Sequence, residues 1–178
     1  MKYARFLAAI VFLAGAAQAA RPYDGPAAEA ELINAKGESV GIAEITPAPS
    51  GVKIILDVQN LPPGTHAFHI HGTGKCDPPD FKTAGGHFNP EVKEHGLKNP
   101  KGAHAGDMEN FEVGADGMAR IEVVNTHVTL GKGKNSLFQP GGTAIVIHEK
   151  ADDMVSDPAG NAGGRIACGV IEATDSDD

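Results

Sequence analysis

Apolar and polar residues alternate along this chain in short runs, which is the spacing of strands that bury one face. Turn residues separate the runs: Leu-Pro-Pro-Gly at 61–64 cannot continue a strand, and Gly-Ala-Asp-Gly at 114–117 is typical of a β-hairpin. The sequence predicts eight strands, at residues 29–35, 39–46, 51–60, 65–71, 109–115, 118–125, 143–148 and 165–172. Short strands joined by glycine-rich turns, with no helical period after the N-terminal stretch, indicate an all-β antiparallel sandwich or barrel.

Two stretches, 72–108 and 149–164, do not fit strands and are rich in Gly, Pro, Asp and Lys. Irregular connections of this length are uncommon in a compact domain unless they serve a function or are held by something. We therefore expect two long functional loops, ordered by bound metal ions and a disulfide. The chain ends in an acidic stretch, residues 174–178, which we interpret as a solvated tail.

Residues 1–19 have the pattern of a secretory signal peptide: Lys2 and Arg5, then an apolar run, then Ala-Gln-Ala at 17–19 as a cleavage site. A buried N-terminal helix is the alternative. We expect residues 20–28 to form a flexible lead-in and residues 29–173 to form a single domain. No cysteine stands directly after the apolar run and no other stretch approaches membrane-spanning length, so the pattern predicts export to the periplasm or the medium without a membrane anchor.

Charge and cysteine content narrow the possible partners and the compartment. The formal net charge of −8 becomes about −10 when the two positive residues of the signal peptide are removed, which argues against nucleic acid and anionic membranes as partners. The chain has two cysteines, Cys76 and Cys168. In an oxidising compartment we expect them to form one disulfide, with two buried thiols or two soft metal ligands as the alternatives.

Histidines occupy strand positions that suit a metal ion. His69 and His71 are two residues apart, so on a strand they share one face, while Phe68 and Ile70 point into the core. His148 follows the apolar run 145–147 and is expected to face outward in the same way. Three imidazoles on a rigid sheet suit Cu(II), although a single His-x-His pair also occurs among ordinary surface histidines.

A second group lies in the first long loop. His95, His104 and Asp107, with one more nitrogen, would complete a closed tetrahedral Zn(II) site of the structural kind. By itself this triplet could also be a calcium site or a chance cluster. His87 lies between the two groups in sequence, and as an imidazolate it could bind copper through one nitrogen and zinc through the other. His127 is interpreted as a surface residue.

With these residues in place, the chain resembles the copper/zinc superoxide dismutases. The matching stretches, in the order of the family, are Gly64–His71, Gly85–Pro90, His104–Asp107, His148–Asp153 and Gly160–Ile171. The resemblance implies an eight-stranded Greek-key β-barrel of immunoglobulin-like architecture, a fold this family is known for. It also implies one Cu(I/II) and one Zn(II) per subunit and superoxide anion as the substrate, and it makes a homodimer one of the expected assemblies.

Carried over by position, the resemblance implies a role for each candidate residue. The implied copper ligands are His69, His71, His87 and His148, and the implied zinc ligands are His87, His95, His104 and Asp107. The disulfide joins Cys76 and Cys168, and Asp152 accepts hydrogen bonds from one histidine of each metal site. Without the resemblance, Asp152 would be interpreted as an ordinary turn or helix-cap aspartate.

The implied reaction is the disproportionation of superoxide to dioxygen and hydrogen peroxide. Arg165 matches the arginine that holds the substrate beside copper, and His87 is expected to release copper and supply protons. Without the resemblance, Arg165 would be an ordinary arginine at a strand end. The alternatives are a non-catalytic exported protein that stores or delivers copper and zinc, a copper-only dismutase, and an adhesion-type sandwich with an incidental histidine cluster.

Overall fold

The computed structural model describes residues 27–174, and its regular structure is almost entirely β. One 3₁₀ turn, Lys82–Ala84, is the only helical element in this part of the chain. Among residues 27–174, no helix is long and apolar enough to cross a membrane. The strands are β1 Ala28–Asn34, β2 Ser39–Pro47, β3 Val52–Val58, β4 Gly64–His66, β5 Phe68–His71, β6 Phe111–Val113, β7 Ala119–Asn125, β8 Ala144–His148, β9 Arg165–Val170 and β10 Glu172–Ala173.

Every strand pair is antiparallel, which confirms the predicted all-β class. The main sheet has the order β5-β8-β9-β1-β2-β3-β7, with β10 also paired to β1, and β4 and β6 form a second, two-stranded sheet. Strand β1 comes from the beginning of the described residues and β8 and β9 come from near their end, so the centre of this curled sheet is held by long-range pairing between β1 and β9. The order is consistent with the predicted Greek key.

Two of the predicted strands are each divided in two. The run 65–71 breaks at Ala67, whose backbone bonds to Lys150 and His148, because β4 pairs with β6 while β5 pairs with β8. The run 165–172 breaks at Ile171, whose N–H donates to the carbonyl of Thr143. The hairpin prediction at 114–117 is only partly right: the tight turn forms, but β6 and β7 on either side pair in different sheets.

The core lies where the alternating residues meet inside the curled sheet. In β3 every second residue is buried, as the period of two predicts, and Phe68 and Ile70 of β5 and Ile145 and Ile147 of β8 join the same cluster. Both β5 and β8 are buried on their outer faces as well. The two predicted loops cover them, the first running to residue 110 and the second over 149–164 as expected. A third irregular connection, 126–143, was not predicted as a long loop.

The disulfide between Cys76 and Cys168 is present, and it fastens the first long loop to β9. Its partners are 92 residues apart in sequence. The predicted signal peptide, most of the lead-in and nearly all of the acidic tail lie outside the described residues, so these boundaries stay predictions.

Candidate metal centre

Neighbouring strands bring three of the predicted histidines together on the outer face of the main sheet. His69 and His71 stand on β5 and His148 ends β8, and the loop residue His87 is docked beside them by a backbone bridge to His71. The ring centroids of His69 and His87 are 4.1 Å apart. One ligand atom from each of the four histidines lies within 4.8 Å of the others, close enough to hold one metal ion. The predicted direction of these side chains is right, but the loops bury them.

For two of these imidazoles, His69 and His71, hydrogen bonds determine which nitrogen points into the cluster. His71 Nδ1 donates to the carbonyl of Gly85 at 2.9 Å, which leaves Nε2 as the lone-pair nitrogen, 3.4 Å from His148 Nε2. His69 Nε2 lies 2.8 Å from a carboxylate oxygen of Asp152, and its Nδ1 is buried without a hydrogen-bond partner. Buried nitrogens without partners are costly, and a bound cation would satisfy them.

A second cluster lies in the first long loop around Asp107. Its Oδ1 is 2.9 Å from His87 Nδ1, 3.0 Å from His95 Nδ1 and 3.3 Å from His104 Nδ1. The edges of a tetrahedron with metal–nitrogen bonds of 2.0–2.1 Å are about 3.3 Å long, so these four atoms have the spacing of a closed zinc site. The other oxygen of Asp107 accepts the backbone N–H groups of Gly96 and His104 and so holds the carboxylate in place.

His87 belongs to both clusters. Its Nδ1 faces Asp107, while its Nε2 is buried without a hydrogen-bond partner and is available to the other cluster. The imidazole is almost fully covered, with 3% of the side chain exposed. One ring therefore offers a nitrogen to each of the two adjacent clusters.

Burial keeps three histidines of the outer cluster in the neutral form that metal binding requires. It lowers the pKa of His87 to about 4 and the pKa of His148 to about 3, and neighbouring histidines add to the effect at His148. Burial, together with His87, also holds the pKa of His71 well below its ordinary value. At neutral pH these imidazoles are neutral, so His71 and His148 each have a lone pair available for a metal ion without the release of a proton, whereas His87 must lose its remaining N–H proton to bind a metal ion at both nitrogens.

Asp152 joins the two clusters from the second loop. Its Oδ2 lies 2.8 Å from His69 Nε2 and 2.9 Å from His95 Nε2, and its Oδ1 lies 3.0 Å from His95 Nε2. Burial opposes ionisation, but the hydrogen bonds from His69 and His95 hold the pKa of Asp152 below its ordinary value. The carboxylate therefore fixes the tautomer of one histidine in each cluster and turns the opposite nitrogen of each ring toward the metal positions.

Arg165 lies beside the outer cluster, at the start of β9 and directly across from His148 on β8. Its guanidinium donates to the carbonyl of Phe81 at 2.7 Å and to the carbonyl of Gly85 at 2.6 Å. Because Gly85 also accepts the hydrogen bond of His71, one carbonyl group sets the position of the cation relative to the imidazoles. A small anion that entered here would meet a half-buried positive charge next to unprotonated histidines.

Several residues that shape the site were not predicted from the sequence. The carbonyl of Gly85 acts through the main chain and has no side-chain signal. Asn110 lies inside the strand predicted over 109–115, but the structure places it just before β6, with its side chain on the backbone of Asp152. Asp157 accepts the N–H of His95 at 2.7 Å and fastens one loop to the other. His127, expected at the surface, is exposed and outside both clusters.

Comparisons with known proteins identify the same family as the resemblance. The family model for copper/zinc superoxide dismutase matches residues 39–171. The Cu-Zn superoxide dismutase 1 of Aquifex aeolicus is 60% identical over 145 residues, which are 80% of this chain and 86% of the relative. The superoxide dismutase-like protein YojM of Bacillus subtilis is 44% identical over 144 residues, which are 79% of this chain and 74% of that protein.

Solved structures agree with the fold. A crystal structure of a SOD-like protein from Bacillus subtilis has a TM-score of 0.78 at 43% identity and covers 80% of this chain and 96% of its own. The Cu/Zn superoxide dismutase from Brucella abortus has a TM-score of 0.68 at 29% identity and covers 82% of this chain and 99% of its own. The chain therefore belongs to the copper/zinc superoxide dismutase family.

Proposed function

We propose that this chain is a superoxide dismutase, with copper held by the four clustered histidines and zinc held around Asp107. The observation that carries the proposal is His87, which offers one nitrogen to each cluster, together with Arg165 beside the outer one. The copper ligands would be His69, His71, His87 and His148, and the zinc ligands would be His87, His95, His104 and Asp107.

The donor sets fit these two metals. The outer cluster is made of imidazole nitrogens alone, which suit copper, and the inner one combines three imidazoles with a carboxylate, which suits a closed zinc site. Three outer nitrogens, His69 Nδ1, His87 Nε2 and His148 Nδ1, are buried and lack any hydrogen-bond partner. When bound, copper supplies the one-electron redox couple that converts two superoxide ions and two protons into dioxygen and hydrogen peroxide.

The protein's own residues bind the anion and handle the protons. Arg165 is the docking cation, held ready by two carbonyl groups so that no reorganisation is needed when superoxide arrives. His87 is anchored through Nδ1 in the inner cluster, so its Nε2 can take up a proton and pass it to the reduced oxygen species while the ring stays in place. Water supplies the other proton.

The test is the rate of superoxide decay by stopped flow, with protein loaded with one copper and one zinc and a chelator present to remove loose copper. We expect fast decay that falls by about one to three orders of magnitude in Arg165→Glu, since a local positive potential raises encounter rates by that factor. Arg120→Glu is the matched control, because Arg120 is exposed on β7 and pairs with Asp57 on the outer surface of the sheet.

Three results decide between the functions. A large loss in Arg165→Glu with near-normal decay in Arg120→Glu supports a dismutase whose substrate binds beside Arg165. Equal losses in both variants would indicate a general effect of net charge and would remove Arg165 from the site. Decay no faster than the uncatalysed background, in protein shown to hold both metals, would favour the non-catalytic storage or delivery protein.

We also infer that the chain is exported. The Cys76–Cys168 disulfide favours an oxidising compartment, and it agrees with the signal peptide predicted over residues 1–19. The intact mass of the protein purified from its host should correspond to a chain beginning at residue 20 with both cysteines oxidised. A full-length mass with two free thiols would contradict export. The homodimer stays a prediction.

A further inference from the structure

The side chain of Asn110 binds both main-chain polar groups of Asp152. The N–H of Asp152 donates to Asn110 Oδ1 at 2.8 Å, and Asn110 Nδ2 donates to the carbonyl of Asp152 at 2.9 Å. Asp152 is buried in an irregular loop, and within residues 27–174 these two atoms make no other hydrogen bond. Buried main-chain groups need hydrogen-bond partners. Here one amide side chain satisfies both the N–H and the carbonyl of Asp152, as the backbone of a neighbouring strand does in a sheet.

Asn110 is attached to the sheet framework, whereas Asp152 belongs to a loop. Asn110 directly precedes β6, whose first residue, Phe111, is buried against Phe68 with the ring centroids 5.5 Å apart. Asp107, the carboxylate of the inner cluster, lies three residues before Asn110. The Asn110 amide therefore fixes the backbone of Asp152 relative to the core.

We propose that Asn110 is a positioning residue of the metal centre, which holds the Asp152 carboxylate between His69 and His95. The inference rests on the proposed function, because it assigns His69 to the copper site and His95 to the zinc site. The aspartate side chain is short, so its oxygens follow its backbone closely. Hydrogen bonds of 2.8 and 3.0 Å to the two rings weaken steeply when that backbone moves, and the effect reaches both metal sites at once.

Asn110→Asp removes the amide N–H donor with little change in the size of the side chain. It keeps an oxygen to accept the N–H of Asp152 but replaces the donor that faces the carbonyl with a second acceptor. Asn89→Asp is the matched control in the same long loop. Asn89 makes the same reciprocal pair with the backbone of Lys93, at 2.8 and 3.0 Å, and this pair does not contact Asp152.

The measurement is the rate at which zinc passes from the copper- and zinc-loaded protein to a chromophoric chelator. We expect release to be about 10–100-fold faster in Asn110→Asp and near normal in Asn89→Asp, since partners of metal-bound histidines contribute that factor to metal affinity. Two spectra separate positioning from a general loss of stability. The visible bands of cobalt(II) in the zinc site and the electron paramagnetic resonance of copper should both change in Asn110→Asp.

Asp152→Asn is measured in parallel to separate the two proposals. Fast zinc release in Asp152→Asn with normal release and unchanged spectra in Asn110→Asp would overturn the role of Asn110 and leave the metal centre as proposed. Normal release in both variants would overturn the proposed metal centre as well. If Asn110→Asp does not fold, Asn110→Ala is measured in the same way, with the same two outcomes.

Discussion

Gly160 is a position where one methyl group should disturb the metal centre. Its φ is +61°, and a Cβ atom added there would lie 1.7 Å from Asp152 Oδ1 and 2.7 Å from His95 Nε2. To reach an ordinary contact of about 3.4 Å, the carboxylate would have to retreat by about 1.7 Å. That displacement is large enough to break its hydrogen bonds to His69 and His95, which are 2.8 and 3.0 Å long.

The expected magnitude follows from the loss of those partners. Removing the carboxylate partner of a metal-bound histidine typically lowers metal affinity by about 10–100-fold, which corresponds to about 1.4–2.7 kcal/mol of zinc-dependent stability. For a domain of this size, about 2–4 °C of Tm accompanies each kcal/mol. Gly160→Ala should therefore reduce the zinc-induced rise in Tm by about 3–10 °C.

The assay compares the Tm of the zinc-loaded and metal-free forms by calorimetry, at the same protein and zinc concentrations. Gly37→Ala is the control: Gly37 has φ +79°, but nothing lies within 4 Å of its added Cβ. Both substitutions carry the left-handed backbone cost of about 1–2 kcal/mol, which lowers the Tm of the metal-free form. Only Gly160→Ala should reduce the zinc-induced rise, and an undiminished rise would refute the clash with Asp152.

Two further predictions concern the metal-free protein and its disulfide. Burial lowers the pKa of His87 to about 4, so between about pH 6.5 and 4 the unfolded chain takes up a proton that the folded protein does not, and this residue costs about 3 kcal/mol of stability as the pH falls. Although burial opposes it, hydrogen bonds to two carboxylates raise the pKa of His95 to about 9, so stability is also lost as the pH rises from about 6.5 to 9. Calorimetry of the metal-free form should give a Tm maximum near pH 6.5, and a flat profile would contradict both shifts. Reduction of Cys76–Cys168, which are 92 residues apart, should cost about 4–5 kcal/mol in a urea titration, and an unchanged midpoint would contradict the role of the disulfide.

The strand-borne part of the site could be predicted because its information is local. A period of two places His69 and His71 on one face and Phe68 and Ile70 on the other, whichever strands lie beside them. The structure keeps that arrangement, and β8 adds His148 through direct pairing with β5. What the period could not show is burial of the outer face, because it depends on loops that fold back from far along the chain.

The loop-borne part could not be predicted, because backbone atoms carry much of it. The carbonyl of Gly85 holds both Arg165 and His71, and any residue in that position would offer the same atom. The space around Gly160 is closed by residues from two loops, so the sequence alone does not reveal why a side chain is excluded there. Asn110 falls in a run with a strand-like pattern and has no local feature that marks it as a loop anchor.

The loops also have a source of order besides metal and disulfide. Asn99 donates to the carbonyls of His95 and Val155, and Lys98 N–H donates to the carbonyl of Met154, so the first long loop is fastened to the second by direct contacts. In the outer cluster, the folded chain holds three histidine nitrogens, His69 Nδ1, His87 Nε2 and His148 Nδ1, buried without hydrogen-bond partners, at a free-energy cost to the metal-free fold. A bound metal ion relieves that cost without rearranging the loops. Part of the affinity of the outer cluster for a metal ion therefore originates in the fold that holds these nitrogens in place, and the rise in Tm on copper binding measures it.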